Sequence, residues 1–238
     1  MPVLRMPLVV VAAVLPAAAS LVAPLGAQGG EPELGGAHRA VEAAAERYRE
    51  IGAFCADFAQ TIEVKLLGRR VESSGELCRR HPDLFSMRFA DPEGDMVVSD
   101  GERLWVYYRS VDPDQVLSYP AASAPGSHDF VLELLQDPAT GYALAEPATE
   151  VVEGRECRVV DATPGPGARY RGARLWIDGQ SHLLRRIELR EESGNLRSVE
   201  LSGYTFSPPP ADSLFTFAVP EGVQVVDRPG VGAMRVGR

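Results

Sequence analysis

Apolar residues first follow helical spacing over residues 38–51, where Val41, Ala44, Ala45, Tyr48 and Ile51 share one face and charges fill the gaps. That pattern predicts one amphipathic helix of three to four turns. From Ala53 the period drops to two. Phe54, Ala56, Phe58, Gln60 and Ile62 alternate with Cys55, Asp57, Ala59 and Thr61, which is the pattern of a strand with one buried face. A second strand, from about residue 71 to 80, returns after Gly68.

The alternation then repeats with short connections. Residues 84–90 end at Asp91-Pro92-Glu93-Gly94, residues 96–99 turn through Asp100-Gly101 into 104–108, and 116–119 form a further short strand. Ser127 or Asp129 can cap a brief apolar helix over 130–136, stopped by Asp137-Pro138. Beyond it lies a meander of strands over 142–145, 151–153, 156–163, 173–177, 183–191, 197–206 and 215–219, with turn sequences at Asp178-Gly179 and Ser193-Gly194-Asn195. Gly and Pro residues over 164–167 make a flexible loop, and Pro208, Pro209 and Pro210 mark a break before the last strand. Neighbouring strands joined by short turns, with two helices, predict a mainly β (α+β) fold. Its expected form is a single curved antiparallel sheet of about 10 to 11 strands, an incomplete barrel covered by short lid helices.

The amino terminus changes the setting. Met-Pro-Val-Leu-Arg, an apolar run over 8–15 and small residues with cleavage after Ala19, Ala23 or Ala27 have the layout of a secretory signal, with Ala27 favoured. The run is shorter than the roughly 20 residues of a spanning helix, and no cysteine follows it to accept a lipid. The expected organisation is a signal peptide over 1–27, a flexible linker over 28–37, one half-barrel domain over 38–227 and a flexible tail over 228–238. Removing residues 1–27 takes away one Arg and no acid, so the net charge moves from -9 to -10. Nucleic acid is excluded as a partner, because phosphate binding needs a basic stripe of some length. In an oxidising compartment Cys55, Cys78 and Cys157 allow one disulfide and one spare thiol. Cys55 with Cys78 is the favoured pair, since both lie on successive strands of a hairpin. Three buried reduced thiols are the alternative.

Catalytic chemistry finds little support. His38, His81, His128 and His182 have no partner at metal-ligand spacing, and no nucleophile elbow or phosphate loop occurs. Ser127-His128-Asp129 are adjacent, whereas triads are built from residues distant in sequence, so they read as a helix cap. Asp57, Asp100 and Glu188 are carboxylates that nothing pairs for acid-base work. What remains is a set of large apolar side chains, Phe54, Phe58, Phe85, Met87, Phe89, Trp105 and Tyr107. They either fill a barrel core or line a cavity for a greasy ligand. A sheet of about ten strands encloses more space than its side chains readily fill, which favours the cavity.

The order Phe54-x-Ala56-x-Phe58-x-Gln60, Gly75-Glu76-Leu77, Pro82-x-Leu84-Phe85, Ser99-Asp100-Gly101-x-x-Leu104-Trp105-x-Tyr107 and Phe215-x-Phe217-x-x-Pro220-x-Gly222-Val223-x-Val225 resembles the LolA family of periplasmic outer-membrane lipoprotein carriers. The resemblance runs from about residue 38 to 227. It implies an incomplete barrel with a helical lid, a hydrophobic cavity for the acyl chains of lipoproteins, no catalysis, no cofactor and no metal. It further implies a monomer in the periplasm, loaded by an inner-membrane lipoprotein-releasing ABC transporter and emptied by an outer-membrane lipoprotein receptor. Phe85 matches the family's acyl-site phenylalanine, and Phe130, Val131 and Leu134 match the apolar face of a lid helix. Where the family has a lid-latching Arg before the proline, this chain has His81 beside Arg80, and where it often has Trp, this chain has Met87. A histidine there makes the latch sensitive to pH or is merely an exposed strand-end residue. The rival readings are a half-barrel that binds or senses another amphiphile, and a secreted hydrolase or an assembly protein with a filled core.

Overall fold

The computed structural model describes residues 35–121, 131, 134–135, 141–145, 148–165 and 170–228. The proposed signal peptide and linker boundary, Phe130, and the Ser127-His128-Asp129 cap lie outside the described residues. Helix α1 spans Gly36–Ile51 and buries Ala37, Ala40, Val41, Ala44, Ala45 and Tyr48, the face that the spacing of apolar residues marks out. Thirteen strands follow: β1 Ala53–Val64, β2 Arg69–Arg80, β3 Leu84–Asp91, β4 Met96–Asp100, β5 Arg103–Tyr107, β6 Gln115–Pro120, β7 Tyr142–Leu144, β8 Ala148–Val152, β9 Arg155–Pro164, β10 Tyr170–Asp178, β11 Leu184–Glu191, β12 Leu196–Thr205 and β13 Gln224–Asp227. All belong to one sheet, so the strand number exceeds the expected ten or eleven.

The strand path is β13-β6-β5-β4-β3-β2-β1-β12-β11-β10-β9-β7, with β8 on β9. Every ladder is antiparallel except β13 on β6, which is parallel. The path has two ends, so the sheet is an open, curved half-barrel and not a closed one. Its curvature follows from the core. Residues of α1 share one apolar cluster with Val97 and Leu104 near one end of the path and with Ala162 and Tyr170 near the other. One cluster draws on both ends of the path because the sheet curves round it. Among the described residues no helix is long and apolar enough to cross a membrane.

The opposite face is covered in a different way. Residues 215–219, expected as a strand, instead begin with a 3-10 turn over Asp212–Phe215 and run on without ladder pairing. The physical reason is local. Pro208, Pro209, Pro210 and Pro220 bracket the segment and lack the N–H a ladder needs. Arg80 instead pairs with Asp212 at 2.7 Å and lies over the Phe215 ring at 5.0 Å, while Arg88 Nη2 donates to the Leu214 carbonyl at 3.3 Å. Phe217 then stacks on Trp105 at 5.4 Å. The chain returns to the sheet as β13, tied to β5 by an Arg103–Asp227 ion pair.

Two close approaches join β2 to its neighbours on either side. The β2–β3 register shifts between Ser74 and Gly75, and a Cβ at Gly75 would lie 2.0 Å from the Arg88 carbonyl oxygen. Cys55 and Cys78 face each other across β1 and β2 and form a disulfide with Cα atoms 4.0 Å apart; Cys157 is free and buried. Gly75→Val must push strand β3 away from β2. It is expected to destabilise the fold by at least about 2 kcal/mol in urea unfolding, and an unchanged midpoint contradicts this account of the glycine.

Candidate functional site

Strand alternation decides which side chains meet inside the half-barrel. Phe54, Ala56 and Phe58 of β1, Leu77 of β2, and Phe85, Met87 and Phe89 of β3 all point to the concave face, and each is 8 % exposed or less. Phe58 meets Phe89 edge to face at 5.1 Å, and Phe54 lies between Tyr48 of α1 at 5.3 Å and Tyr204 of β12 at 5.6 Å. Val131, Leu134 and Leu135 are helical, buried and part of the same cluster. Among the described residues, α1 and these three residues cover the concave face.

Trp105 and Tyr107, expected among them, are placed elsewhere. On β5 it is Leu104 and Val106 that join the concave cluster, and alternation turns Trp105 and Tyr107 to the outer face. There Trp105 stacks on Phe217 and donates to Asp100 Oδ2 at 3.2 Å, and Tyr107 donates to the Pro113 carbonyl at 2.9 Å. Asp100 also accepts from the Glu102 and Arg103 amides, which hold its carboxyl below the ordinary range against an opposing effect of burial. It shapes the β4–β5 turn. Asp178, likewise, is buried and takes Arg155, Arg185 and the Gln180 and Ser181 amides, a closed arrangement that shapes the β10–β11 turn.

The concave face opens at one end. A cavity of about 210 Å³ lies between α1 and the β2–β3 turn, lined by Ala45, Tyr48, Arg79, His81 and Pro82 and bordered by Val131 and Leu135. Small-molecule sites run to roughly 300–1,000 Å³, so this mouth is too small for a long ligand until the helices shift. Arg80 lies on the other face, where it meets Asp212 and Phe215. Arg79, of the same strand parity as Leu77, is the buried cation at the mouth, and its Nη2 donates to the Pro82 carbonyl at 3.1 Å. His81 is exposed at the rim. Two-residue periodicity from Leu77 is the sequence signal that points to Arg79.

A three-part hydrogen-bond circuit holds α1 against the sheet. The Leu184 N–H donates to Tyr48 Oη at 3.2 Å, and Tyr204 Oη donates to the Leu184 carbonyl at 2.7 Å. The 2.7 Å contact between the two hydroxyls is then donated by Tyr48, so each hydroxyl gives one bond and receives one. Burial pushes the Tyr48 hydroxyl up to about 12 and that of Tyr204 well above its ordinary value of 10.0.

An open antiparallel half-barrel, with an apolar concave face covered by helical residues, defines a class of binding scaffold for greasy ligands. The family model described as "Outer membrane lipoprotein carrier protein LolA" matches residues 49–218, and the chain belongs to that family of carriers. It is 34% identical over 158 residues to the outer-membrane lipoprotein carrier protein of Halorhodospira halophila, covering 66% of this chain and 70% of that protein. With the protein of the same name from Pasteurella multocida it shares 28% over 185 residues, or 77% and 84% of the two chains. An uncharacterized conserved protein from Thermus thermophilus has the same fold, with a TM-score of 0.51 at 13% identity, covering 78% of this chain and 97% of that one.

The circuit carries a prediction with a defined sign. Because the folded pKa of Tyr48 lies above the unfolded value, its neutral form adds stability that is fully present below pH 10 and is lost as pH rises towards 12. At about 1.4 kcal/mol per pH unit this is worth about 3 kcal/mol. Tyr48→Phe leaves the Leu184 N–H without its acceptor. Stability measured near pH 8 should fall by about 1–3 kcal/mol, and the steep loss above pH 10 should shrink; equal alkaline curves for both proteins contradict the assignment.

Proposed function

We propose that this protein carries the acyl chains of lipoproteins through the periplasm, from the inner to the outer membrane, on the concave face of its half-barrel. The observation that carries this reading is that the apolar face is covered by helical parts and not by a second sheet. An acyl chain of roughly 16 carbons leaving a membrane needs on the order of 12 kcal/mol of replacement burial. A water-excluded surface of the kind built by Phe54, Phe58, Phe85, Met87 and Phe89 supplies that when it is uncovered. Leu104 and Val106 extend the same surface, while Trp105 and Tyr107 serve the outer strap.

Covering and cargo compete for one surface. Val131, Leu134 and Leu135 leave it when acyl chains enter, and their return favours release, which keeps affinity moderate without fuel at this step. Arg79 takes the latch role at the mouth, with His81 at its rim. An inner-membrane lipoprotein-releasing ABC transporter loads the carrier and an outer-membrane receptor of higher affinity unloads it. The carrier acts as a monomer and catalyses nothing.

Binding should depend on the acyl groups alone. The protein is expected to hold a lipoprotein in solution and to ignore the same polypeptide lacking its acylated cysteine, as read by gel filtration of the mixture. Equal retention of both forms refutes the proposal. Phe85→Glu places a charge on the apolar face and should reduce retention of the acylated form by about tenfold or more, with a thermal melt run alongside to show that the fold persists.

A further inference from the structure

The two most exposed large apolar residues at a single turn are Leu66, 91 % exposed, and Leu67, 63 % exposed, at the tip of the β1–β2 hairpin. Exposed leucines are ordinary when scattered, but adjacent ones at the turn of a hairpin are unusual. Val71, 43 % exposed, continues the apolar strip just behind the tip. Nothing in the core requires them, since β1 and β2 already bury Phe54, Phe58 and Leu77 nearer the other end.

The surroundings of the tip have a sign. Lys65, Arg69 and Arg70 flank the two leucines in sequence, and a cleft of about 660 Å³ at the base brings in Arg171 of β10 and Arg190 of β11. The acids lining that cleft are Glu63 and Glu191, so five cations face two carboxylates, a local balance of +3 on a chain whose net charge is -9. Glu191 is already engaged by Arg197, and Arg70 by Glu72. Among the described residues Lys65, Arg69, Arg171 and Arg190 form no salt bridge. The acidic character of the chain as a whole makes this concentration of cations behind an apolar point the exception.

We infer that the β1–β2 tip is a docking element for an anionic phospholipid surface, with Leu66 and Leu67 entering the interface and the cations behind them meeting headgroup phosphates. Two short apolar side chains alone give weak, reversible insertion, and stable attachment needs a second, electrostatic signal; here both are on one hairpin. Arg79 and the mouth lie ten residues along β2 from Arg69, roughly 33 Å at strand rise, so a docked tip leaves the mouth free for a partner. The inference does not rest on what the concave face carries.

Sedimentation of the full chain with vesicles of phosphatidylcholine, alone or mixed with phosphatidylglycerol, tests it. Binding is expected with the anionic vesicles, weakening as salt is raised, and falling about tenfold or more in Leu66→Asp/Leu67→Asp and in Arg69→Ser/Arg70→Ser. Both variants change exposed residues, and their melts should match the parent. In Leu67→Trp the added indole should shift to blue emission with anionic vesicles and stay unshifted with phosphatidylcholine alone, a readout that belongs to the tip and not to any other apolar segment. Equal binding by parent and variants, or an indole that remains in water, overturns the inference; in the second case a protein partner becomes the better occupant of the tip. The aspartate variant should still retain acylated lipoprotein in solution, which separates failure here from failure of the carrier reading.

Discussion

A curved sheet whose inner face is apolar must be covered, and in this protein the cover is helical. Helix α1 and the helical residues Val131, Leu134 and Leu135 supply the side chains that keep Phe54, Phe58, Phe85 and Phe89 from water. Helices satisfy their own backbone hydrogen bonds, so they can withdraw without leaving sheet amides unpaired. The rest of the molecule follows from keeping that choice open on one side and closed on the other.

The closed side is the outer face. The 3-10 turn over Asp212–Phe215, Phe217 and strand β13 form a strap across β3 to β6, fastened by Arg80, Arg88, Trp105 and Arg103. That strap stiffens the half of the sheet that bears Phe85, Met87 and Phe89. On the inner side the fastening is of another kind. The Tyr48–Leu184–Tyr204 circuit fixes α1, and the Arg79 guanidinium stands at the mouth between α1 and the β2–β3 turn. A rigid sheet with a detachable cover is the mechanical requirement for a reversible apolar site.

Much of this is legible in the chain itself. Strands β1 and β3 are readable because one face of each is apolar and the other polar, which is the condition under which alternation reports direction. β5 is harder. The strap buries its outer face, so Trp105 and Tyr107 look as inward as Leu104 and Val106, and only their parity separates them. Phe215 and Phe217 alternate like a strand but are bracketed by prolines, and the true last strand is a four-residue parallel pairing that leaves almost no periodic signal. Arg80 draws the latch role by its place beside His81 in the family motif, although the period of two from Leu77 already assigns it to the other face. The covering of the concave face is not legible, since helices that cover a face and helices that stand clear of it have the same sequence pattern.

Hydrogen exchange on the empty and the loaded protein tests the central claim most directly, because the helical cover and the acyl chain are held to occupy one surface in turn. Loading with an acylated lipoprotein should leave the amides of β1 to β3 protected while those of Val131, Leu134 and Leu135 lose protection. Undiminished protection at those three residues in a protein shown to be loaded would contradict the account, because cargo and cover would then be sitting on different surfaces.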